Sequence, residues 1–598
     1  MNSESRQTND RPVPVKQCPA KQLIVRAAAC AILLWLSQPP LNWWPLAMVA
    51  LVPLLSLAAM PEKMGRRSFL IIWAVFSLYW LVSLQGLRHA HPAMIVCLIA
   101  LSGYLALYQA IFVGLLRQAA LLSNPTSNRA AVTLLGTSIL GASVIWVGLE
   151  FVRNYLITGI SVLMLGHTMA DVPHMIQIAD AFGTYGVSFL IVQVNVAAWF
   201  LVRWIIAKQA RDQTKAGLIT RKDLTISWGA ALAIVLASVA YGQYRLSQPL
   251  GDQANTFALI QRDEVVEYVQ SENRQVEMFQ NYATQSFDTL SKSEENIDAV
   301  VWPESMFSGG QPWVAAEKGA SIPEAPAGQL AISRAEFSDW VQSRQQHFLQ
   351  RAGYIQKELA RQNPTGQPPS LVAGCGVIRY AEQVEMYSGV VHIKPSSVES
   401  SAVAAEPSSV EWYGKTHLVM FGEYIPILPW IPGLKSLVPP SMGLNTGPGP
   451  SRMTIGDTIV APNICVETAV ERVCVNQMRA LRSDGPLPDV LVTVTNDGWF
   501  DDSSVVDHHL RCAQLVAVGC RRPILSSANN GPTAWIDSSG QIVDQLDTGE
   551  NGAVIAKPIR DPRTSPYVRI GDWPATGCAM FCLVIPFVAR RKKIASNT

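Results

Sequence analysis

Residues 92–116, PAMIVCLIALSGYLALYQAIFVGLL, form a continuous apolar stretch without a charged side chain. A helix needs about 20 mostly apolar residues to cross the hydrocarbon core of a bilayer, so this stretch predicts one crossing. Comparable stretches occupy 22–38, 43–60, 68–87, 132–156, 180–206 and 226–244, and a weaker one with two prolines occupies 572–589. Repetition on this scale excludes a single cleaved leader and predicts a bundle of about seven spans closed by one weak final helix.

The composition also indicates a membrane protein. Of the 598 residues, 49% are hydrophobic and 15% are charged, and the mean hydropathy is +0.19. Soluble domains carry about 25% charged residues, so these values argue against a disordered chain, a coiled coil and a wholly soluble enzyme. The net charge of +2 implies no general attraction to nucleic acid. Ten cysteines in a chain of this length are too few for a disulfide scaffold.

The lysines and arginines predict how the bundle is oriented. Basic residues in short loops mark the cytoplasmic side of a membrane protein. They concentrate in the N-terminal tail, in the loops after spans two, four and six, and in the C-terminal Arg590-Arg591-Lys592-Lys593. We therefore expect a cytoplasmic tail at 1–21, a helical bundle at 22–246, an extracytoplasmic catalytic domain at 247–570, and a final helix with a basic cytoplasmic tail at 571–598. Segment 158–178 is less apolar and is expected to be re-entrant or interfacial.

The region 247–570 has an ordinary soluble composition and alternates short apolar runs with helical patterns, which is typical of α/β or α+β domains. Three of its predicted strands end in a reactive side chain. DAVVWPES, residues 298–305, ends near Glu304; WYGKTHLVMFGEYIP, residues 412–426, carries Lys415 and Glu423; DTIVAPNICVET, residues 457–468, carries Cys465 and Glu467. Catalytic groups commonly project from strand ends in layered folds.

These residue types form a coherent chemical set. A Cys thiolate is a nucleophile, a neighbouring carboxylate can take and return protons, and an ammonium can stabilise both a thiolate and a tetrahedral oxyanion. Together they favour acyl transfer through a thioester. The alternatives are that Cys465 is a small core residue or pairs with Cys474 in a disulfide, and that Lys415 is a plain surface charge. His508 and His509 are adjacent on a predicted helix and do not face each other, so we expect no metal site.

Five blocks resemble the corresponding blocks of the apolipoprotein N-acyltransferase family. They are WPES, GKTHLVMFGEYIP, ICVE, NDGWF and SSANNGPTAWID. The resemblance implies a multi-pass α-helical membrane domain plus an α+β, nitrilase-like (carbon–nitrogen hydrolase) domain with an αββα sandwich fold. It also implies that Glu304 is the general base, Lys415 the oxyanion stabiliser and Cys465 the nucleophile, with Glu423 and Glu467 as supporting carboxylates.

The resemblance further implies a ping-pong reaction. An acyl chain from a membrane phospholipid would form a thioester on the enzyme and then pass to the α-amine of a diacylglyceryl-cysteine lipoprotein. No metal, diffusible cofactor or nucleic acid is implied, and the location would be a bacterial inner membrane with the site on the periplasmic side. Two alternatives remain open at this point: a membrane-tethered amidase or nitrilase-type hydrolase, and a catalytically decayed lipid-binding homologue.

Weaker expectations concern the substrate pocket. The resemblance places Asn496 and Trp499, in the NDGWF block, beside the acyl pocket, although Asn-Asp-Gly is also a plain turn sequence. Trp430 lies in the apolar stretch 425–438, which is either core or an arm that dips into the membrane. The chain departs from the family pattern at Val466, where an aromatic residue is usual, and at Val516 and Gly519, where the family usually carries Arg and Glu.

Overall fold

The computed structural model describes residues 17–60, 62–92, 94–122, 128–209, 221–267, 270–317, 319–322, 333–395, 410–426 and 443–595. Its N-terminal part is helical. The helices are α1 (Ala20–Leu36), α2 (Val52–Ala58), α3 (Arg66–Ser83), α4 (Met94–Leu122), α5 (Asn128–Tyr155), α6 (Pro173–Ile176), α7 (Ala179–Phe182), α8 (Thr184–Gln209) and α9 (Arg221–Leu246). Segment 158–178 contains only short helices and turns, so it does not cross a bilayer as a helix.

Six helices of the described part are long and apolar enough to cross a membrane. These segments are Arg66–Ser83, Met94–Ala119, Leu140–Thr158, Thr184–Ile206, Arg221–Leu246 and Trp573–Arg591. The expected spans at 22–38 and 43–60 are not among the six. Helix α1 has only 17 residues, and the segment 43–60 is divided into a 3-10 helix, Trp44–Met48, and the seven-residue α2. Prolines occupy the first turn of both pieces, and α2 is only about 10 Å long at 1.5 Å per residue.

The divided segment nevertheless returns to where the first helix began. Gln17 pairs with Lys63 in an isolated β-bridge, and the amide of Cys18 donates to the carbonyl of Lys63 at 3.4 Å. The 17-residue α1 and the broken segment therefore form a hairpin whose two ends lie together. A continuous helix is thus replaced by two short pieces, while the direction of the chain is as expected for two consecutive crossings.

The remaining chain forms two β-sheets with helices between their strands. The strands are β1 (Phe257–Gln261), β2 (Ala299–Trp302), β3 (Trp313–Ala316), β4 (Ser370–Tyr380), β5 (Val384–Ile393), β6 (Val410–Gly414), β7 (Met453–Ile455), β8 (Thr458–Ile464), β9 (Val490–Asn496), β10 (Ile524–Asn529), β11 (Ala534–Ile536), β12 (Ile542–Gln545) and β13 (Gly552–Ala556). The helices are α10 (Glu272–Lys292), α11 (Arg334–Gln362), α12 (Glu471–Ser483), α13 (Ser504–Cys520), α14 (Pro566–Ile570) and α15 (Trp573–Ala595).

The first sheet has the order β13-β1-β2-β4-β5-β6, with β3 paired to β4, and the second has the order β12-β11-β10-β9-β8-β7. Strands β1, β2 and β4 are parallel, and so are β8, β9 and β10. Because β5 is antiparallel to both β4 and β6, β6 runs in the same direction as β2 and β4. The carboxyl ends of β2 and β6 therefore lie on the same edge of the first sheet.

The two sheets pack face to face with helices outside both. A core of apolar residues, including Phe257, Val301 and Val492, fills the space between the sheets. Helices α10 and α11 cover the first sheet through residues such as Tyr282 and Phe348, and α12 and α13 cover the second. Helix α11 begins with Ser333 and Glu336 in a reciprocal capping box. The layers run helix, sheet, sheet, helix, which is the αββα sandwich that the family resemblance implies.

Helix α13 lies between the second sheet and the membrane helices. Val516 and Ala517 pack in the apolar cluster beneath the sheet, whereas Leu515 and Val518 belong to the cluster of the membrane helices. Arg521, at the end of this helix, is fully buried and forms an ion pair of 2.6 Å with the buried Asp180 of α7. One helix therefore joins the sheets to the membrane part of the chain.

Candidate active site

Glu304 lies just after β2, at the carboxyl edge of the first sheet, and is 8% exposed. The next residue, Ser305, has a φ of +67°, a left-handed conformation that is uncommon for residues with a side chain. The neighbouring β4 approaches so closely that a Cβ atom at Gly374 would lie 2.4 Å from the Cα of Glu304. Glycine at 374 thus allows the sheet to support the turn that carries Glu304.

Lys415 follows β6 directly and is buried between two carboxylates. Its Nζ donates to Oε1 of Glu423 at 2.6 Å and to Oε1 of Glu304 at 3.4 Å. The other oxygen of Glu423 accepts the amide N–H of Val419 at 2.7 Å, which fixes this carboxylate within the loop after Lys415. The structure therefore brings Glu304, which lies 111 residues from Lys415, together with Lys415 and its near neighbour Glu423.

Cys465 follows β8 and faces this carboxylate–ammonium group from the second sheet. Its φ is +49°, so the chain turns sharply at the end of the strand. Burial raises the pKa of its thiol to about 12; the charge of Lys415 acts to lower that pKa, and the carboxylates of Glu304 and Asp497 act to raise it. These interactions place the thiol within electrostatic reach of both Lys415 and Glu304.

The two charged partners are also strongly shifted. Burial raises the pKa of Glu304 above its ordinary value, although the nearby Lys415 opposes the shift. Burial alone would lower the pKa of Lys415, but the charges of Glu304 and Glu423 outweigh it, so its pKa is raised well above the ordinary value. At neutral pH the lysine is therefore an ammonium, and Glu304 is a stronger base than an exposed carboxylate.

Glu467 lies beneath the site and holds its two loops together. Its carboxylate is completely buried and accepts the amide N–H groups of Thr416 at 2.7 Å and of Ile464 at 2.8 Å. It also accepts the hydroxyl of Tyr413 at 2.8 Å. The residues after β6 and the end of β8 are thus tied to one side chain, which keeps Lys415 and Cys465 in a fixed relation.

Two of the residues expected to line the substrate pocket, Asn496 and Trp499, differ in how deeply they are buried. The side chain of Asn496 is buried and accepts a hydrogen bond of 3.0 Å from Asn529, in the adjacent strand. Trp499 is half-buried in the 3-10 helix Asp497–Phe500. Close to it, a Cβ atom at Gly86 would collide with Ser503, so this loop touches the segment that follows α3. Trp430 lies outside the described residues.

Three contacts to the site were not anticipated from the sequence. Ser388, within β5, donates its hydroxyl to Oε1 of Glu304 at 2.9 Å, and its carbonyl accepts the amide of Lys415 at 2.9 Å. The hydroxyl of Thr495, in β9, acts to lower the pKa of the Cys465 thiol. His509, on α13, places Nε2 3.0 Å from the carbonyl oxygen of Cys465. Of these residues the sequence draws attention only to His509, as part of the His508–His509 pair, and it does not indicate what His509 contacts.

The cysteines near the site carry no disulfide bond. Cys465 and Cys474 are both free thiols, so they form no disulfide here. Cys474 is buried on α12 and contacts the carbonyl of Glu467. Within the described ranges, no group of three or more His, Cys, Asp or Glu side chains is arranged to hold a metal ion. The side chains gathered at the two sheet edges are thus those of nucleophile and acid–base chemistry.

The fold and the site define a multi-pass membrane enzyme with an αββα domain, whose two sheets meet at a buried glutamate and lysine and a partly buried cysteine. The family model "Apolipoprotein N-acyltransferase N-terminal domain" matches residues 30–197. A curated apolipoprotein N-acyltransferase from Rhodopirellula baltica is 44% identical over 96% of this chain and 99% of its own length. Another, from Geobacter metallireducens, is 26% identical over 95% of each chain. The chain belongs to the apolipoprotein N-acyltransferase family.

Solved structures are similar to part of the chain. An amidase from Nesterenkonia sp. is 12% identical and covers 54% of this chain and 96% of its own, with a TM-score of 0.31. XC1258 from Xanthomonas campestris, a CN-hydrolase superfamily protein, is 12% identical and covers 56% and 96%, with a TM-score of 0.30. The full-length relatives confirm the family and the acyltransferase class that the five sequence blocks indicate.

Proposed function

We propose that this protein transfers an acyl chain from a membrane phospholipid to the α-amine of a diacylglyceryl-cysteine lipoprotein, with Cys465 as the nucleophile. The observation that carries the proposal is the buried ammonium of Lys415, held 2.6 Å from Glu423 and 3.4 Å from Glu304 and facing Cys465. Membership in the apolipoprotein N-acyltransferase family supports both the reaction class and the acceptor.

In the first half-reaction, Glu304 takes the proton of the Cys465 thiol and the thiolate attacks an ester carbonyl of the phospholipid. Lys415 stabilises the negative oxygen of the tetrahedral intermediate, because a preorganised ammonium in a buried site favours developing charge. The C–O bond then breaks, the leaving alkoxide takes the proton from Glu304, and lysophospholipid departs. An acyl thioester remains on Cys465. A base is required because burial keeps the resting thiol protonated at neutral pH.

In the second half-reaction, the neutral α-amine of the lipoprotein attacks the thioester carbonyl. Lys415 stabilises the oxyanion again, and Glu304 takes the proton that the amine loses. The C–S bond breaks, and the sulfur regains a proton from Glu304, so that the enzyme returns to its starting state. Glu423 positions Lys415 through its 2.6 Å hydrogen bond, and Glu467 positions the two site loops.

We place the protein in a bacterial inner membrane with residues 247–570 on the periplasmic side. The tail 1–21 and the basic C-terminal end of the final helix, within 571–598, are cytoplasmic, and 22–246 forms the membrane bundle. Six apolar helices support the membrane location, and the distribution of Lys and Arg supports the orientation. Trp499 is proposed to contact the acyl chain, because its loop touches the segment that follows α3, beside the membrane helices. The same role is proposed for Trp430 and, through its loop, for Asn496.

The test is the intact mass of the purified protein after incubation with phospholipid vesicles. We expect an added acyl mass that maps to Cys465 and disappears when a diacylated lipopeptide with a free α-amine is supplied. Cys465→Ser should show neither the thioester nor acylated lipopeptide, and Cys375→Ser serves as the matched control. Acylated lipopeptide formed at the normal rate by Cys465→Ser would refute the proposal. Rapid release of free fatty acid without any amine would instead indicate a hydrolase.

A further inference from the structure

The backbone of Cys465 is held by a residue from another part of the fold. His509 is on α13, and its Nε2 lies 3.0 Å from the carbonyl oxygen of Cys465 and 3.0 Å from the hydroxyl oxygen of Thr468. Its other ring nitrogen, Nδ1, lies 3.5 Å from Oδ1 of Asp497. The imidazole therefore connects the candidate nucleophile to the loop that follows β9.

The same carbonyl also has local partners. The amide of Thr468 donates to it at 3.2 Å and the hydroxyl of Thr468 at 3.1 Å, both within one short turn. His509 differs because it reaches the carbonyl from a helix that packs against the second sheet on one side and the membrane helices on the other. Because α13 is packed on both sides, His509 is anchored independently of Cys465. Thr468, in contrast, belongs to the same short turn as Cys465.

Such support matters because the conformation of Cys465 is unusual. A φ of +49° is sparsely populated by residues with a side chain, and it persists only where surrounding contacts determine it. The carbonyl and the following N–H of a trans peptide point in opposite directions, so fixing one fixes the plane of the whole peptide. A contact to the Cys465 carbonyl therefore also limits where the Cys465 side chain can lie.

We propose that His509 is a positioning residue for Cys465: its Nε2–H donates to the nucleophile's carbonyl. The inference rests on the proposed role of Cys465 as nucleophile. It assigns to His509 no contact with substrate and no proton transfer. The proposal predicts that any side chain with an N–H donor near the position of Nε2 can hold the Cys465 carbonyl, whether or not it is an imidazole.

The test compares three variants of the full-length protein in detergent. His509→Ala removes the donor, His509→Gln keeps an N–H donor at a similar reach, and His508→Gln changes the adjacent buried histidine of the same helix. Two rates are measured: acyl-thioester formation by intact mass, and alkylation of Cys465 by iodoacetamide at pH 9, followed by peptide mapping. The melting temperature of each variant is measured as well.

We expect His509→Ala to slow both rates at Cys465 about tenfold, which corresponds to about 1.4 kcal/mol of activation free energy. His509→Gln should recover most of the loss, and His508→Gln should react like the unchanged protein. Equal rates in His509→Ala and the unchanged protein would overturn the proposal, and so would equal losses in all three variants. The alkylation rate does not depend on acyl transfer, so it tests His509 even if the proposed reaction fails.

Discussion

Cys465 carries its thiol in surroundings that oppose ionisation. Burial raises its pKa to about 12, although the ammonium of Lys415 acts in the opposite direction. The thiolate is the reactive form of cysteine, so the resting site is protected from chance electrophiles at neutral pH. The proposed reaction therefore begins with proton transfer to a base, and Glu304, whose own pKa is raised by burial, is the carboxylate proposed for that role.

The raised pKa predicts a slow and strongly pH-dependent alkylation of Cys465. Below the pKa the thiolate fraction falls tenfold for each unit of pH, so iodoacetamide at pH 7.5 should react at least about a hundredfold more slowly than with free cysteine. The rate should still be rising at pH 10. The measurement is peptide mapping after timed labelling, and a plateau reached between pH 8 and 9 would contradict the expected burial of the thiol.

Ser388 predicts a second effect at the scale of one residue. Its hydroxyl donates to Oε1 of Glu304 at 2.9 Å and thereby stabilises the charged carboxylate. Ser388→Ala should therefore raise the pKa of Glu304 further. Because Glu304 is proposed to act as a base, the acid limb of the kcat/KM profile should move to higher pH by about one unit, and activity should be lost earlier as pH falls.

The matched control is Ser321→Ala. Ser321 is exposed and also loses one hydroxyl hydrogen bond, to the carbonyl of Glu382, but it takes no part in the site. Its pH profile should coincide with that of the unchanged protein. An acid limb that shifts equally in both variants, or in neither, would be inconsistent with the assigned contact between Ser388 and Glu304.

At the scale of elements, α12 and α13 explain one departure from the family pattern. Gly519 of α13 leaves room for Glu471 of α12, because a Cβ atom at 519 would lie 3.1 Å from Oε1 of Glu471. Glu471 is buried, its pKa is raised to about 8 by that burial, and it accepts the amide of Thr184 at the start of α8. At position 519, where the family resemblance leads us to expect a glutamate, the glycine thus lies beside a carboxyl group of a neighbouring helix.

This arrangement predicts that positions 471 and 519 are coupled. Gly519→Glu places a second carboxyl group beside a buried one and should cost about 2 kcal/mol or more of unfolding free energy. In the background of Glu471→Ala the same change should cost much less. Thermal unfolding of the two single variants and the double variant measures the coupling, and strictly additive losses would show that the two groups do not compete for the same space.

At the scale of the whole molecule, a buried charge network joins the sheet domain to the membrane helices. Asp180 is completely buried and pairs with Arg521 of α13 at 2.6 Å and with Arg245 of α9 at 2.7 Å. Tyr241 donates its hydroxyl to the other oxygen of Asp180 at 2.6 Å. The carboxylate of Asp180, on α7, therefore links the membrane helix α9 to α13, the helix behind the second sheet.

Asp180→Asn should leave two buried guanidinium groups without their counter-charge. Removing one partner of a buried ion pair costs about 3–5 kcal/mol, so we expect a large fall in melting temperature in detergent. Asp171→Asn is the control, because Asp171 also pairs with an arginine of α13, Arg511, but is half exposed and should cost less than about 1 kcal/mol. Equal stability losses in the two variants would contradict the proposed importance of burial.

Much of this protein could be predicted from local properties of the sequence. Hydropathy depends only on neighbouring residues, so it identifies the long spans and the final helix, although prolines divide the segment 43–60. Strand patterns ending in Glu304, Lys415 and Cys465 are also local, and parallel strands place their carboxyl ends at one edge of a sheet. The sequence by itself thus determined the membrane character, the mixed α and β domain and the three side chains proposed to react, while the two-layered arrangement of the sheets was implied by the family resemblance.

Only the tertiary structure decided how those side chains are held. Ser388 lies 84 residues from Glu304, and His509 lies 44 residues from Cys465, yet each contacts its partner at hydrogen-bond distance. The burial that raises the pKa values of Glu304 and Cys465 likewise arises from two sheets meeting. A hydrogen bond and a desolvated charge depend on which groups become neighbours in space, and that is a property of the packed chain rather than of any one segment.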